Sequence, residues 1–354
     1  MNPQRRMIVL AEGRFHPLES KTANQAIRYM PEQVVAVIDS TQAGKSVDDV
    51  IGYGGKIPVV RDLKVGLSRK PDTLLIGIAP MGGILPDSWR AIVREAIENK
   101  LSIISGLHTF LSDDVEFAAL AKKNSVSMTE LRKIPPTYEV VAEGHWRKRK
   151  AKTILSIGTD CNVGKMTASL ELHREFVRRG LKSDFVPTGQ TGILLAGKGV
   201  AVDSILSDYV AGAIELEVER SAATGAEYIH VEGQGSILHQ GYSSVTLGLM
   251  HGVVPDAMIL VHHPIRQLDY YGFPINDVKK FIAVSEMILE PFKKSKVVGI
   301  AVNAVGMSPA EISDAISRLE GETGLPAADV LSPGKTRLAD ALVTHLRTQT
   351  ETRD

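Results

Sequence analysis

The sequence predicts an α/β protein built from mostly parallel sheets in two domains. Three observations carry this expectation: short β-rich runs alternate with helical patterns along the whole chain, a glycine-rich loop stands between a strand and a helix at residues 158–167, and a length of 354 residues exceeds one ordinary core. The first domain is expected at residues 1–147 and the second at 148–354.

In the first domain, strands are expected at residues 7–10, 34–38, 73–78 and 101–105. Between the last two, Trp89, Ile92, Val93, Ala96, Ile97 and Leu101 recur at helical spacing, which predicts a helix over 88–101 with one apolar stripe. The segments Gly77–Gly83 and Ser105–His108 follow two of these strands, as ordinary turns or as ligand-facing loops.

A break is expected near 133–152, where Pro135 and Pro136 interrupt regular structure. The run 145–152 (HWRKRKAK) is basic and lacks apolar periodicity, which fits a solvated linker or a cationic lip beside an anionic ligand. The second domain restarts with a strand at 153–157, a loop, and a helix through Arg179 closed by Gly180. Further strands are expected at 183–186, 228–232, 257–262 and 297–303. The polar tail 348–354 is expected to fray.

Composition narrows the function. Lys plus Arg equals Asp plus Glu at 41 each, which removes the electrostatic case for general nucleic-acid binding. One cysteine, Cys161, excludes an intramolecular disulfide framework and a multi-cysteine zinc site, and no metal ligands are assigned. The N-terminal MNPQRRMIVLAEGRF lacks the long apolar stretch of a secretory signal, and no apolar run reaches the length of a membrane span, so the expected location is the cytoplasm, without a membrane partner.

The chemistry concentrates in the loop Gly158, Thr159, Asp160, Cys161, Asn162, Val163, Gly164, Lys165, Met166, Thr167. A strand before it and a helix after it give the context of a phosphate-binding P-loop, whose N–H groups converge on an anion while Lys165 adds a point charge. It departs from the usual G-x-x-x-x-G-K-[ST] in two places. Thr159 stands where the first glycine belongs, and Met166 follows the lysine, so the hydroxyl that ligates magnesium is absent there and Thr167 lies about 100° further round the helix. Such a loop is suited to holding phosphates more than to cleaving them. Cys161 is either a loop residue or, at a helix N-terminus, a nucleophile.

Ligands of doubly wound sheets sit at the carboxyl ends of strands. The residues after the other strands of the second domain are polar and glycine-rich: Pro187–Gly192, Glu232–Ser236 (EGQGS), His262–Arg266 (HHPIR) and Asn303–Gly306. Glu232 is a partner for Lys165, a metal ligand or a base. His262 and His263 are buried histidines or catalytic ones. Arg266 suits bidentate carboxylate binding, and Asn303 is a turn former or a reader of a base edge.

The GTDxxVGK loop and the EGQGS segment resemble dethiobiotin synthetase and its P-loop relatives, over the second domain only. Over its whole length, through GTDCNVGKMT, EGQGS and HHPIR, the chain is similar to a two-domain family of formerly unknown function that joins a Rossmann-like first domain to this P-loop domain. That family includes D-glutamate N-acetyltransferase. The resemblance implies transfer of acetyl from acetyl-CoA to the amine of D-glutamate, in D-amino-acid catabolism.

Transfer to an amine needs a base, oxyanion donors and carboxylate clamps. The expected roles are Glu232 or His262 as base, Arg266 as clamp and loop N–H groups as oxyanion donors, with residues 158–167 and Asn303 holding the acetyl-CoA cosubstrate. A Mg-ATP-dependent ligase or kinase, with Glu232, Asp160 and Thr167 around magnesium, and a nucleotide-binding regulator stand as alternatives. A small amino-acid substrate and a homo-oligomer are the expected partners.

Overall fold

The computed structural model describes residues 5–78, 83–269 and 271–351. Residues 79–82 of the Gly77–Gly83 loop and residues 352–354 of the tail lie outside them.

Close contacts divide the chain into two units. One comprises residues up to 133 together with Ile193–Gly197; the other comprises Ile134–Gly192 and the residues from 198 on. Each is built on an all-parallel six-stranded sheet.

The first sheet contains β1 (Met7–Leu10), β2 (Val34–Ile38), β3 (Val59–Val60), β4 (Thr73–Ile76), β5 (Ser102–Ser105) and β6 (Met128–Glu130). Their order is β3-β2-β1-β4-β5-β6, the Rossmann arrangement, with the reversal between β1 and β4. β1 and β4 are buried along their whole length, as strands covered on both faces must be. Helices α1 (Lys21–Tyr29), α2 (Val47–Ile51), α3 (Leu63–Gly66), α4 (Asp87–Glu98) and α5 (Val115–Asn124) accompany this sheet. The helix expected over 88–101 is α4. It ends before Leu101 because Lys100 takes a left-handed conformation (φ 63°), and Leu101 is buried beyond it.

The second sheet contains β7 (Lys152–Gly158), β8 (Ser183–Val186), β9 (Tyr228–Val231), β10 (Ala257–His262), β11 (Lys296–Val302) and β12 (Ala327–Asp329), ordered β12-β11-β10-β7-β9-β8. The accompanying helices are α6 (Lys165–Arg178), α8 (Val210–Ala223), α9 (Ser243–Val253), α10 (Val278–Leu289), α11 (Pro309–Thr323) and α12 (Lys335–Glu351), while α7 (Gln190–Ala196) starts in this unit and belongs to the first from Ile193 on. Successive side chains of a strand point to opposite faces, and the two cores follow that alternation. Leu155, Ile157, Met258, Leu260, Ile300 and Val302 belong to a cluster with Ile214, Val218 and Met250 of α8 and α9. Ile154, Ile259, Val261 and Ala301 belong to one with Leu172 and Phe176 of α6 and Leu338 and Leu342 of α12. The expected end of α6 holds: Gly180, at φ 75°, stands just past the Arg179 cap. The tail expected to fray is helical as far as Glu351.

The basic run is not free chain, although His145, Arg147, Lys148 and Lys150 are exposed. Residues 138–149 form a strap along α8. Tyr138 donates to Glu217 at 2.8 Å, the N–H groups of Glu143 and His145 donate to Glu215 at 2.6 and 2.7 Å, and Arg149 donates to Glu219 at 2.6 Å. The strap lies so close that a Cβ on Gly212 of α8 would stand 1.9 Å from the Val140 carbonyl oxygen. Three strands, β3, β6 and β12, were not expected from the sequence. No helix among the described residues is long and apolar enough to cross a membrane.

Candidate functional site

β7 lies between β9 and β10, so the loops leaving these three strands are neighbours at one sheet edge. The loop after β7 is the expected P-loop, anchored by Val163, whose fully buried side chain joins the core under α6. Asn162 (φ 53°) and Gly164 (φ 106°) turn the backbone, and α6 begins with no side chain capping its N-terminus. A 14-residue helix presents its N–H groups and positive dipole end there, the environment an anion requires. Lys165 is buried and folds back over the loop, donating from Nζ to the Asp160 carbonyl at 2.7 Å. Met166 is buried where a hydroxyl would otherwise face a metal, and Thr167 is half-buried.

A buried serine relay joins the loop to its neighbours. Ser169 of α6 donates to the Val231 carbonyl and lies 2.9 Å from Ser156 Oγ, which also accepts from Gly233 N–H at 3.0 Å. A Cβ at Gly233 would stand 1.7 Å from the Ser156 carbonyl oxygen, so only glycine lets the loop after β9 cross here.

Glu232 is 1% exposed. Its carboxylate accepts from Thr188 and Gly189 N–H groups at 3.0 and 3.3 Å and from the Gln234 amide at 3.0 Å, while Thr188 Oγ1 donates to the Glu232 carbonyl. These bonds make Glu232 a tie between the loops after β8 and β9, and Oε1 accepts only one of them. His262 lies with its Nδ1 3.0 Å from Thr159 Oγ1. Burial first, then the charges of Arg318 and His263, push it down to about 4, so it is neutral and only weakly basic at physiological pH. Burial and Arg266 lower its neighbour His263 as well.

Arg266 braces the P-loop. Its NH1 donates to Asp160 Oδ2 at 3.1 Å and to the Cys161 carbonyl at 2.7 Å. Nε and NH2 of this partly exposed guanidinium bond nothing among the described residues, which leaves one edge able to take a carboxylate. Asn303 makes a turn through Val305 N–H, and its Nδ2 lies 3.7 Å from where a Cβ would stand on Gly164. Both expected roles remain compatible with that position.

Sequence reasoning missed two residues. His239, in the turn between β9 and α9, is buried with Nε2 3.8 Å from Asp160 Oδ1 and 3.6 Å from Asp269 Oδ2. Its ring packs against Tyr242 and Tyr271, with centroids 4.9 and 5.5 Å away. Neither His239 nor Asp269 immediately follows a strand, so no period or motif marked them; the one available signal was a lone histidine shortly before a helix.

Comparisons with known proteins agree with this architecture. A family model described as "Domain of unknown function (DUF1611_C) P-loop domain" matches residues 140–339, and a DUF1611_N Rossmann-like domain matches residues 40–134. A D-glutamate N-acetyltransferase of Tritonibacter scottomollicae is 39% identical over 274 residues, covering 76% of this chain and 80% of that protein. One from a Pseudoalteromonas species is 36% identical over 282 residues, covering 77% and 81%. The crystal structure of a DUF1611 family protein from Anabaena variabilis superposes with a TM-score of 0.91 at 35% identity, covering 96% of this chain and 99% of that one.

Proposed function

We propose, since this chain belongs to the DUF1611 family, that it is a D-glutamate N-acetyltransferase acting with acetyl-CoA. The likeness to two proteins of that name, each over about three-quarters of this chain, carries the reading. The site supports it chemically. Coenzyme A presents a pyrophosphate and a ribose phosphate, groups that an uncapped helix N-terminus and a buried lysine hold without having to cleave. Met166 in the place of a metal-ligating hydroxyl then costs the reaction nothing.

In this reading the loop around α6 binds the phosphates, and the unbonded edge of Arg266 takes one carboxylate of the amino acid. The C–S bond of the thioester breaks as the C–N bond of the amide forms, and the amine gives up a proton. Glu232 and Ser156 hold the loops in register for this.

The test is a thermal-shift panel of acetyl-CoA, CoA, ATP and GTP, with and without magnesium, followed by an assay for N-acetylated product from D- and L-glutamate. A ligand at 100 times its dissociation constant adds about 2.7 kcal/mol to native stability. Stabilisation by CoA species without magnesium, with product from D-glutamate, is expected. Stabilisation only by magnesium-nucleotide, and no acetylated product, would overturn the proposal.

A further inference from the structure

We infer that His239 and Asp269 are a catalytic pair: His239 donates Nε2–H to the acyl carbonyl oxygen, and Asp269 accepts the proton of the attacking amine. The inference rests on the acetyl-transfer reading and deepens it.

The argument begins with the tautomer. His239 Nδ1 accepts the Gly241 N–H at 3.1 Å. A ring nitrogen facing a backbone donor carries no proton, so the neutral imidazole bears its hydrogen on Nε2. That nitrogen is buried and has no hydrogen-bond partner among the described residues, although Asp160, Asp269 and the Cys161 thiol surround it. An unmet buried donor is costly, and native proteins keep few of them. An acceptor from outside the chain, a water in the resting protein and a ligand during turnover, meets that donor.

The neighbours decide which acceptor. A metal ion beside Asp160, Cys161 and His239 would need the Nε2 lone pair, which moves the proton to Nδ1 and sets it against the Gly241 N–H. An ammonium group would meet the Nε2 hydrogen head-on. A permanently anionic group would meet two carboxylates less than 4 Å from the same atom. An uncharged carbonyl oxygen fits, and a thioester carbonyl is one.

The negative charge that this oxygen gains during attack is offset as Asp269 becomes neutral on taking the amine proton. Asp160 is paired with Arg266, and Asp269 Oδ1 accepts the N–H groups of Tyr271 and Phe273 at 2.9 Å each. Asp269 Oδ2 makes no hydrogen bond among the described residues and lies 3.6 Å from His239 Nε2. As the amine nitrogen bonds to the acyl carbon, the carbonyl electron pair moves to oxygen against His239 Nε2–H, and an amine proton passes to Asp269 Oδ2. The pair then returns as the C–S bond breaks, and the thiolate of CoA leaves.

The experiment compares His239→Ala, His239→Gln and Asp269→Asn with the wild type in steady-state acetyl transfer, and measures thermal stabilisation by acetyl-CoA for each. His239→Ala should lose about 10²–10³ in kcat, the effect of removing one oxyanion donor, while acetyl-CoA still stabilises the variant. His239→Gln keeps an N–H on a side chain of similar reach and should recover at least about tenfold of the loss. Asp269→Asn should lower kcat by about 10²-fold or more while acetyl-CoA still stabilises the variant.

An active wild type with His239→Ala within about threefold of it overturns the inference alone. So does a glutamine variant no better than alanine, or cobalt(II) binding that vanishes in His239→Ala, which would make the ring a ligand. A wild type that acetylates no amine overturns the acetyl-transfer reading, and this inference falls with it.

Discussion

The two sheets of this protein are alike in strand count and in being wholly parallel, and acidic side chains tie neighbouring loops together at the carboxyl edge of each, yet the helices that follow their first strands begin differently. In the first sheet the acidic groups after β1 and β2 join those two loops to each other. Glu12 accepts from both Ser40 N–H and its hydroxyl, and Asp39 accepts from Phe15 N–H, Thr41 N–H and the Thr41 hydroxyl. In the second sheet Glu232 and the Ser156–Ser169 relay likewise tie loops together, and α6 begins directly at the loop after β7 with a buried lysine, Lys165, folded back over it. The same architecture carries a buried lysine folded over the loop after β7 and none after β1, which is why function has to be argued from loops and not from fold.

The sharpest way to break this comparison is a pair of glycines. Gly233→Ala drives a methyl group into the Ser156 carbonyl and should cost about 3 kcal/mol or more. Gly13→Ala, after β1, meets nothing within 4 Å and pays only for a positive φ of 70°, about 1 kcal/mol. Urea midpoints for both variants decide the matter, and equal losses would mean that the second edge is no more tightly knit than the first.

The next effect is on pH. The folded protein resists protonating His262 until about pH 4, whereas an unfolded histidine takes its proton near pH 6.5. Between those values the unfolded chain binds more protons, so stability falls as pH drops through this window, by about 3 kcal/mol in all from this site. Denaturation measured from pH 7 to 4 should show that slope, shallower in His262→Gln; an unchanged slope would remove His262 as its source.

The smallest expected effect separates binding from stability. Lys165→Ala should weaken acetyl-CoA binding by about 2–3 kcal/mol, the worth of a charge-assisted contact, and Asp39→Asn should cost about 1–3 kcal/mol of stability while leaving binding unchanged. Calorimetry that finds Asp39→Asn as damaging to binding as Lys165→Ala would erase the distinction between the two edges.

Much of this was legible in the sequence because central strands of parallel sheets are buried on both faces and read as apolar runs. Residues 7–10, 34–38, 153–157 and 257–262 are such runs. The three strands that escaped, β3, β6 and β12, are edge strands of two or three residues, too short for a period and lacking a second neighbour. The P-loop was legible because its strand, glycines and lysine are contiguous. Its bracing was not: Arg266 reaches Asp160 and Cys161 across a sequence separation of more than a hundred residues, and His239 acquires meaning only beside Asp160 and Asp269.

The strap along α8 bears on how the protein will behave in handling. A run such as HWRKRKAK in an open linker is a ready substrate for trypsin, whose active site must draw several residues of extended backbone into its cleft. Here the Arg149 side chain is 3% exposed, and its guanidinium is bonded to Glu219 and to the Val253 carbonyl. Cleavage after Arg149 must wait for the strap to peel from the helix, so the rate of nicking there reads out local opening of the second unit.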